Sequence, residues 1–369
     1  MPEARTIDQL ETPAAIVDVD RMHANLRRAA EYTRAHGLAW RPHAKTHKVA
    51  ELAAEQVRAG AVGVTVATAR EAEVMAQTVD DILLAYPPVS PGTLARVMAL
   101  PERVRLTVGL DSPEALRGLA AAARERGRRV GVLVEFDAGM HRVGVQTPEE
   151  AVALATLAAE LNGVDFRGLM FYPGHVRTRI ETQDAALGEL AGTVRRFVDA
   201  AARARLTPHV VSGGSTPTFW RSHEVGAATE VRPGTNLFND RITFTVGACA
   251  WDEVAYSVLA TVVSTSRAGQ AVVDAGAKAL ARDPLPNDEP GLGALLDRPE
   301  VTVRAVSEEH GILDLSQTEW HPRVGDRIRV VPNHVCVSVN LHERLYGVRG
   351  DEIVEVWEVA GRGRAPLRG

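Results

Sequence analysis

Between about Pro13 and Asp240, short β-branched runs alternate with longer stretches rich in Ala, Leu, Glu and Arg, and this rhythm restricts the fold more than any other feature of the chain. The runs are 15–19, 38–41, 62–66, 82–85, 104–108, 130–134, 168–172 and 210–212. The stretches between them include 20–33, 49–58, 113–126 and 148–161, which read as amphipathic helices. Apolar strands followed by helices predict βα units around a parallel sheet. Eight such units predict an α/β fold of the (β/α)8 TIM-barrel class over residues 13–243. An open doubly wound sheet is the alternative.

After about Phe244 the pattern changes. The runs 258–265, 270–274, 301–305, 327–331, 335–339 and 353–359 are β-like and are separated by turn formers at 284–293 and at Gly350-Asp351. They predict a second, mostly antiparallel β domain over 244–369, with residues 1–12 as a candidate to pair into it. Two domains suit a chain of 369 residues. A net charge of -5 gives no basic surface for nucleic acid. No apolar run approaches the roughly 20 residues that span a bilayer. The first residues lack the apolar core of a signal peptide. Cys249 and Cys336 are too few for a disulfide framework, which leaves the cytoplasm as the expected location.

In a barrel the C-terminal ends of the strands carry chemistry. Just past the second run lies Arg41-Pro42-His43-Ala44-Lys45-Thr46-His47-Lys48. Its cationic neighbours disfavour a charge on Lys45, and a neutral amine is the form that condenses with an aldehyde. A solvated basic turn is the competing reading. Ser212-Gly213-Gly214-Ser215-Thr216 follows the last run. Its glycines let backbone N–H groups approach an anion, and its hydroxyls add donors, as at the phosphate sites of many barrels. Tyr172-Pro173-Gly174-His175 ends another strand, and His175 could move a proton near neutral pH. In the β domain, Asn333-His334-Val335-Cys336 reads as strand, so that His334 and Cys336 would share one face. An imidazole and a thiolate plus waters make an open Lewis-acid site, although a structural histidine beside a core cysteine is the blander reading.

The Arg-Pro-His-x-Lys-Thr-His-Lys segment resembles the D-threonine aldolases and eukaryotic-type D-serine dehydratases, which are alanine-racemase-type pyridoxal 5'-phosphate enzymes. The resemblance extends over nearly the whole chain. It implies a barrel joined to a β domain, with Lys45 holding the cofactor as an imine. Glu135-Phe136-Asp137-Ala138-Gly139-Met140-His141-Arg142-Val143-Gly144 is similar to an element whose arginine bonds the cofactor's phenolic oxygen, which assigns Arg142. Glu230-Val231-Arg232-Pro233-Gly234-Thr235 is similar to an element whose arginine faces the pyridine nitrogen, which assigns Arg232. Tyr172 and His175 match a Tyr-x-Gly-His in the same group. The resemblance makes His334 and Cys336 ligands of a divalent metal, Zn, Mn or Mg. The cysteine matches the dehydratases, whereas Val339-Asn340-Leu341-His342-Glu343 looks like the aldolases.

The function this implies is a lyase of D-β-hydroxy-α-amino acids. It would cleave D-threonine-like substrates to glycine and an aldehyde. Zn-dependent D-serine dehydration to pyruvate and ammonia is the alternative. An amino-acid racemase and a non-catalytic carrier of the cofactor are further alternatives. The partner expected is a small D-amino acid, with no nucleic acid and no membrane, and the group's habit implies a homodimer.

Overall fold

The computed structural model describes residues 4–286 and 289–367. Its contacts divide into two compact units. One comprises Ala29–Gly234 with Ala360–Gly369, and the other Met1–Arg28 with Thr235–Val359. These bounds differ from a division at residue 243: residues 13–28 and 235–243 go with the β unit, and the C-terminal tail goes with the barrel. Ala360 and Leu367 pack on the barrel's core, the Arg70 guanidinium donates to the Ala360 carbonyl (2.8 Å), and the Leu367 amide donates to Glu73 (2.9 Å). Among the described residues no helix is long and apolar enough to cross a membrane.

Strand β1 (Ala14–Asp18) belongs to the second unit. The barrel strands are β2 (Ala39–Trp40), β3 (Val64–Val66), β4 (Asp81–Leu84), β5 (Arg105–Leu110), β6 (Val130–Glu135), β7 (Val164–Met170), β8 (Val210–Gly213) and β9 (Glu230–Val231). They form an eight-stranded sheet, β2-β9-β8-β7-β6-β5-β4-β3, in which every pair is parallel. Its two ends meet at a parallel bridge between His43 and Thr65, where the Thr65 amide donates to Pro42 and the Ala44 amide to Thr65, both at 2.8 Å. That bridge closes the sheet, so no edge is left to recruit another chain. Leu83, Leu133 and Met170 form a small apolar cluster on the sheet. Three barrel helices begin with a hydroxyl cap followed by proline: Ser90-Pro91, Ser112-Pro113 and Thr147-Pro148. Each hydroxyl accepts an orphan amide of the first turn, and proline needs no partner there.

The strand count of eight holds, but its register moves by one. Run 15–19 does not enter the barrel, because β1 pairs elsewhere. The eighth barrel strand is Glu230–Val231, two residues that an apolar-run count passes over. Lys45 therefore follows the first barrel strand, and the Ser212 loop follows the seventh.

The second unit holds β1 with β10 (Tyr256–Ser264), β11 (Gln270–Val273), β12 (Gly293–Leu295), β13 (Val303–Val306), β14 (Gly311–Asp314), β15 (Arg327–Pro332), β16 (Arg344–Arg349) and β17 (Glu352–Glu358). All pairings are antiparallel except β1 with β16. The N-terminal segment joins this unit through a bridge between Thr6 and Glu352.

One sequence expectation fails here. Val335–Leu341 is a helix, not a strand. Its Val-x-Val-x-Val spacing imitates the period of a strand, but tertiary bonds override that propensity. The Ser338 hydroxyl donates to the Ala279 carbonyl (2.6 Å) and lies 2.8 Å from the Tyr256 hydroxyl. His334 is the residue before the helix and Cys336 lies within its first turn. A helical turn, and not a shared strand face, brings them together.

Candidate active site

Because all eight barrel strands run parallel, the residues just past their C-terminal ends gather at one rim. β2 delivers Lys45, β6 the loop with Arg142, β7 Tyr172 and His175, β8 the glycine loop, and β9 Arg232. The opposite rim has a cavity of about 380 Å3 between Arg129, Asp165 and Arg205, which lies at the starts of β6 and β7 and collects none of these groups.

Lys45 is half-buried. Its ammonium stands 6.0 Å from the centre of the Tyr172 ring, and the Arg142 guanidinium stands 5.0 Å from the same centre. The aromatic ring thus links the two groups. The basic cluster around Lys45 is not the array of free charges that its sequence suggests. Arg41 pairs with Glu230 (2.8 Å) and Asp81 (2.6 Å), and Lys48 pairs with the buried Glu71. Burial pushes His47 down to about 4, and its ring is bonded to Gln56 and to the Val49 amide, so it is a neutral structural group. Burial also pushes His43 well below its ordinary value, helped by Lys45, Arg232 and Lys48. Its Nδ1 accepts the Lys45 amide at 3.4 Å.

The glycine loop is shaped by steric necessity. A Cβ on Gly213 would lie 2.1 Å from the Phe171 ring, and Gly214 has φ +91°, which glycine adopts without strain. Ser215 and Thr216 follow at the start of a 3-10 helix, Thr216–Val225. The Ser215 hydroxyl lies 3.1 Å from that of Thr218, and the Thr216 hydroxyl accepts the Gly234 amide at 3.4 Å. Ser212 is engaged differently. Its hydroxyl donates to Glu230 (2.6 Å) and accepts from Arg232 (3.2 Å) in a fully buried network. Arg232 also donates to the Phe171 carbonyl at 2.8 Å. Glu230 gives one oxygen to Arg41 and the other to Ser212. It is therefore committed to structure, and Arg232 is the group of that segment which adjoins Tyr172 and Glu135 electrostatically.

His175 is exposed, and its ring covers Gly139, where a Cβ would meet the imidazole at 3.0 Å. The loop around Gly139 is held by Asp137, whose carboxylate accepts the amides of Gly139 (2.9 Å), Met140 (2.9 Å) and His141 (3.0 Å).

Two residues that sequence reasoning passed over stand out. Glu135, the last residue of β6, is buried, and burial pushes its carboxyl up to about 7 against the opposing pull of Arg232 and Arg142. Its signal was a carboxylate ending an apolar strand. Asp240, in the other unit, is fully buried and accepts His334 Nδ1 at 3.1 Å. His334 and Cys336 are both half-buried, and each touches the other's field. Against burial, Cys336 first and then Asp240 hold the imidazole's proton, pushing it up to about 11. The Thr235 hydroxyl lies 4.0 Å from the Cys336 sulfur. Among the described residues no group of three or more His, Cys, Asp or Glu side chains forms a metal cage. Cys249 is a buried thiol pushed up to about 12 by burial, a core residue.

Residues 17–241 match the alanine racemase N-terminal domain, and residues 255–348 match the putative serine dehydratase domain. The chain belongs to the alanine racemase N-terminal domain family. Its relatives over nearly the whole chain are enzymes, and so is this chain. It is 35% identical to the D-threo-3-hydroxyaspartate dehydratase of Delftia sp. (strain HT23), over 96% of this chain and 98% of that one. It is 31% identical to the 3-hydroxy-D-aspartate aldolase of Paracoccus denitrificans (strain Pd 1222), over 96% and 93%. The crystal structure of D-threonine aldolase from Filomicrobium marinum superposes with a TM-score of 0.91 at 31% identity, covering 98% of this chain and 99% of that one. The solved forms of D-threo-3-hydroxyaspartate dehydratase include a histidine-to-alanine variant and a metal-free cysteine-to-alanine variant. The two altered residues stand two apart in that chain.

Proposed function

We propose that the chain is a pyridoxal-phosphate-dependent lyase of D-β-hydroxy-α-amino acids, cleaving D-threonine-like substrates to glycine and an aldehyde. One observation carries the reading: an amine, an aromatic ring, two guanidiniums and a glycine-lined loop lie at the same ends of parallel strands. These groups fit the cofactor. Lys45 would hold its aldehyde carbon, and the Gly213-Gly214 turn, free of side chains and followed by the hydroxyls of Ser215 and Thr216, would receive its phosphate. Arg142, Tyr172 and Arg232 would line its ring, with Ser212 fixing Arg232. Bound there, the cofactor draws off the electrons of the bond that breaks next to the substrate's amine carbon.

The chain's own side chains position the substrate and move its protons. Lys45 would be the amine that holds the cofactor and yields its place to the substrate's amine. His175, exposed at the rim with its imidazole over Gly139, takes the proton of the β-hydroxyl. His334 and Cys336 would hold a divalent cation. An imidazole beside a thiolate suits a borderline-soft ion such as zinc better than a hard ion. The metal-free cysteine variant of the dehydratase supports the same assignment, since His334 and Cys336 are also two apart. Such a cation lends Lewis acidity to a bound oxygen. Neither Cys249 nor Cys336 forms a disulfide, which is consistent with a reducing cytoplasm, and we propose a homodimer there.

A second reading has support of its own. The cysteine of the His-x-Cys pair, together with the 35% identity to a dehydratase, favours loss of water from the β-carbon. Lys45 would then remove the proton from the amine-bearing carbon, and the products would be a 2-oxo acid and ammonia. The test supplies the purified protein with pyridoxal phosphate and zinc or manganese. It then follows D-threonine, D-serine and D-threo-3-hydroxyaspartate, measuring glycine and aldehyde on one side and 2-oxo acid and ammonia on the other. Glycine with aldehyde is the expected outcome. Oxo acid without glycine overturns the retro-aldol reading, and equal turnover by Lys45→Ala overturns the lyase reading altogether.

A further inference from the structure

We infer that Asp240 is the positioning residue of the His334–Cys336 pair, fixing the ring of His334 so that Nε2 alone is presented to a divalent cation. This rests on the metal reading above and goes one step beyond it. Asp240 is fully buried, and both of its oxygens are used. Oδ1 accepts the Thr243 amide at 2.8 Å and its hydroxyl at 3.0 Å, which is the work of a helix cap for Arg241–Thr245. That work does not explain Oδ2. Oδ2 accepts the Val335 amide at 3.0 Å and meets His334 Nδ1 at 3.1 Å.

A carboxylate in that position can only accept, so Nδ1 is the donor to Asp240 and Nε2 is the nitrogen left to a cation. The same oxygen holds the backbone amide between His334 and Cys336. One group therefore sets the imidazole, the first turn of the helix and the place of the thiol. The segments run together over several bonds: the Ile242 amide donates to the Asn333 carbonyl (3.1 Å), and the Arg241 guanidinium to the Asn333 side chain (3.2 Å). With its acceptor sites taken, Asp240 is not itself a ligand. Carboxylates in this relation to a ligating histidine typically govern metal affinity by about 10–100-fold.

The test is the zinc affinity of the full-length protein, measured by competition with a chromophoric chelator. Wild type is compared with Asp240→Asn, Thr243→Val, His334→Ala and Cys336→Ala. Asparagine keeps the shape but replaces one acceptor oxygen by a donor. Facing His334, that donor reverses the ring's tautomer; facing Thr243, it breaks the cap. The expected result is a 10–100-fold loss of affinity in Asp240→Asn, with Thr243→Val within about twofold of wild type. The cobalt-loaded protein adds a second readout: its thiolate-to-cobalt absorbance persists in Asp240→Asn while the ligand-field bands shift. If Asp240→Asn gives no cooperative melt, Asp240→Glu carries the same test, since it keeps two acceptors but lengthens their reach. Wild-type affinity in the Asp240 variant, with affinity lost in His334→Ala and Cys336→Ala, overturns the inference and leaves the metal site standing. Wild-type affinity in all of the variants overturns the metal site, and the inference falls with it.

Discussion

Glu135 sets up a measurable conflict between burial and attraction. It is 6% exposed, and its carboxyl is pushed from an ordinary 4.5 up to about 7 because burial outweighs the pull of Arg232 and Arg142, while Asp111 adds repulsion. A carboxyl raised in the folded state binds more protons folded than unfolded between those two values. Its contribution therefore favours the folded protein at low pH and is lost as pH rises through about 7. A shift of this size corresponds to about 3 kcal/mol once the group is fully ionised, of which roughly 2.5 kcal/mol develops between pH 5 and pH 8.

Glu135→Gln removes the titration and keeps the shape. The fixed difference between amide and carboxyl cancels when the comparison is made across pH. In denaturant unfolding of the cofactor-free protein, wild type should lose roughly 2.5 kcal/mol relative to the variant on going from pH 5 to pH 8. A difference independent of pH would refute the reasoning, since it would mean that the carboxyl titrates alike folded and unfolded. A change of the opposite sign would show that the arginines outweigh burial.

Three further outcomes follow from the geometry. Gly213→Ala places a Cβ 2.1 Å from the Phe171 ring, so it should lower stability by about 1–3 kcal/mol and speed cofactor loss, as seen by thermal melting and dialysis. Lys48→Met strands the Glu71 carboxylate, only 1% exposed at its side chain, and should cost about 3–5 kcal/mol; Lys48→Met combined with Glu71→Leu should restore most of it, measured as a double-mutant cycle. Truncation after Val359 removes the tail's bonds to Arg70, Arg96, Glu73 and the Lys48 carbonyl, so amide exchange should accelerate in Ala69–Met75 and Pro91–Met98 while β16 and β17 stay protected.

The barrel was legible because its strands are apolar on both faces and its helices carry Ser-Pro or Thr-Pro starts, signals that local sequence contains. Glu230–Val231 was not legible, since two residues give no periodicity. Helix Val335–Leu341 was misread because Val335, Val337 and Val339 alternate as a strand would, while its partners Ala279, Tyr256 and Asp240 are remote in sequence; Asp240 lies 94 positions away.

That contrast explains why most of the site is insensitive to how the strands are numbered. The strand numbering moves by one while the count of eight holds, and Lys45, Arg142, Tyr172, His175, the Gly213 loop and Arg232 still share a rim. Parallel topology alone decides which end of a strand a following residue occupies, and shifting every label by one strand leaves every end unchanged. His334 and Cys336 had no such protection. Their convergence was argued from a strand period that does not exist, and it holds in the structure for a different reason: one helical turn and a distant carboxylate. The side chains at the barrel rim are fixed by topology and tolerate local error, whereas the His334–Cys336 pair depends on the bonds that Asp240 makes to His334 and to the Val335 amide. Substitution at Asp240 should therefore perturb that pair more sharply than a comparable change in any single rim loop perturbs the rim.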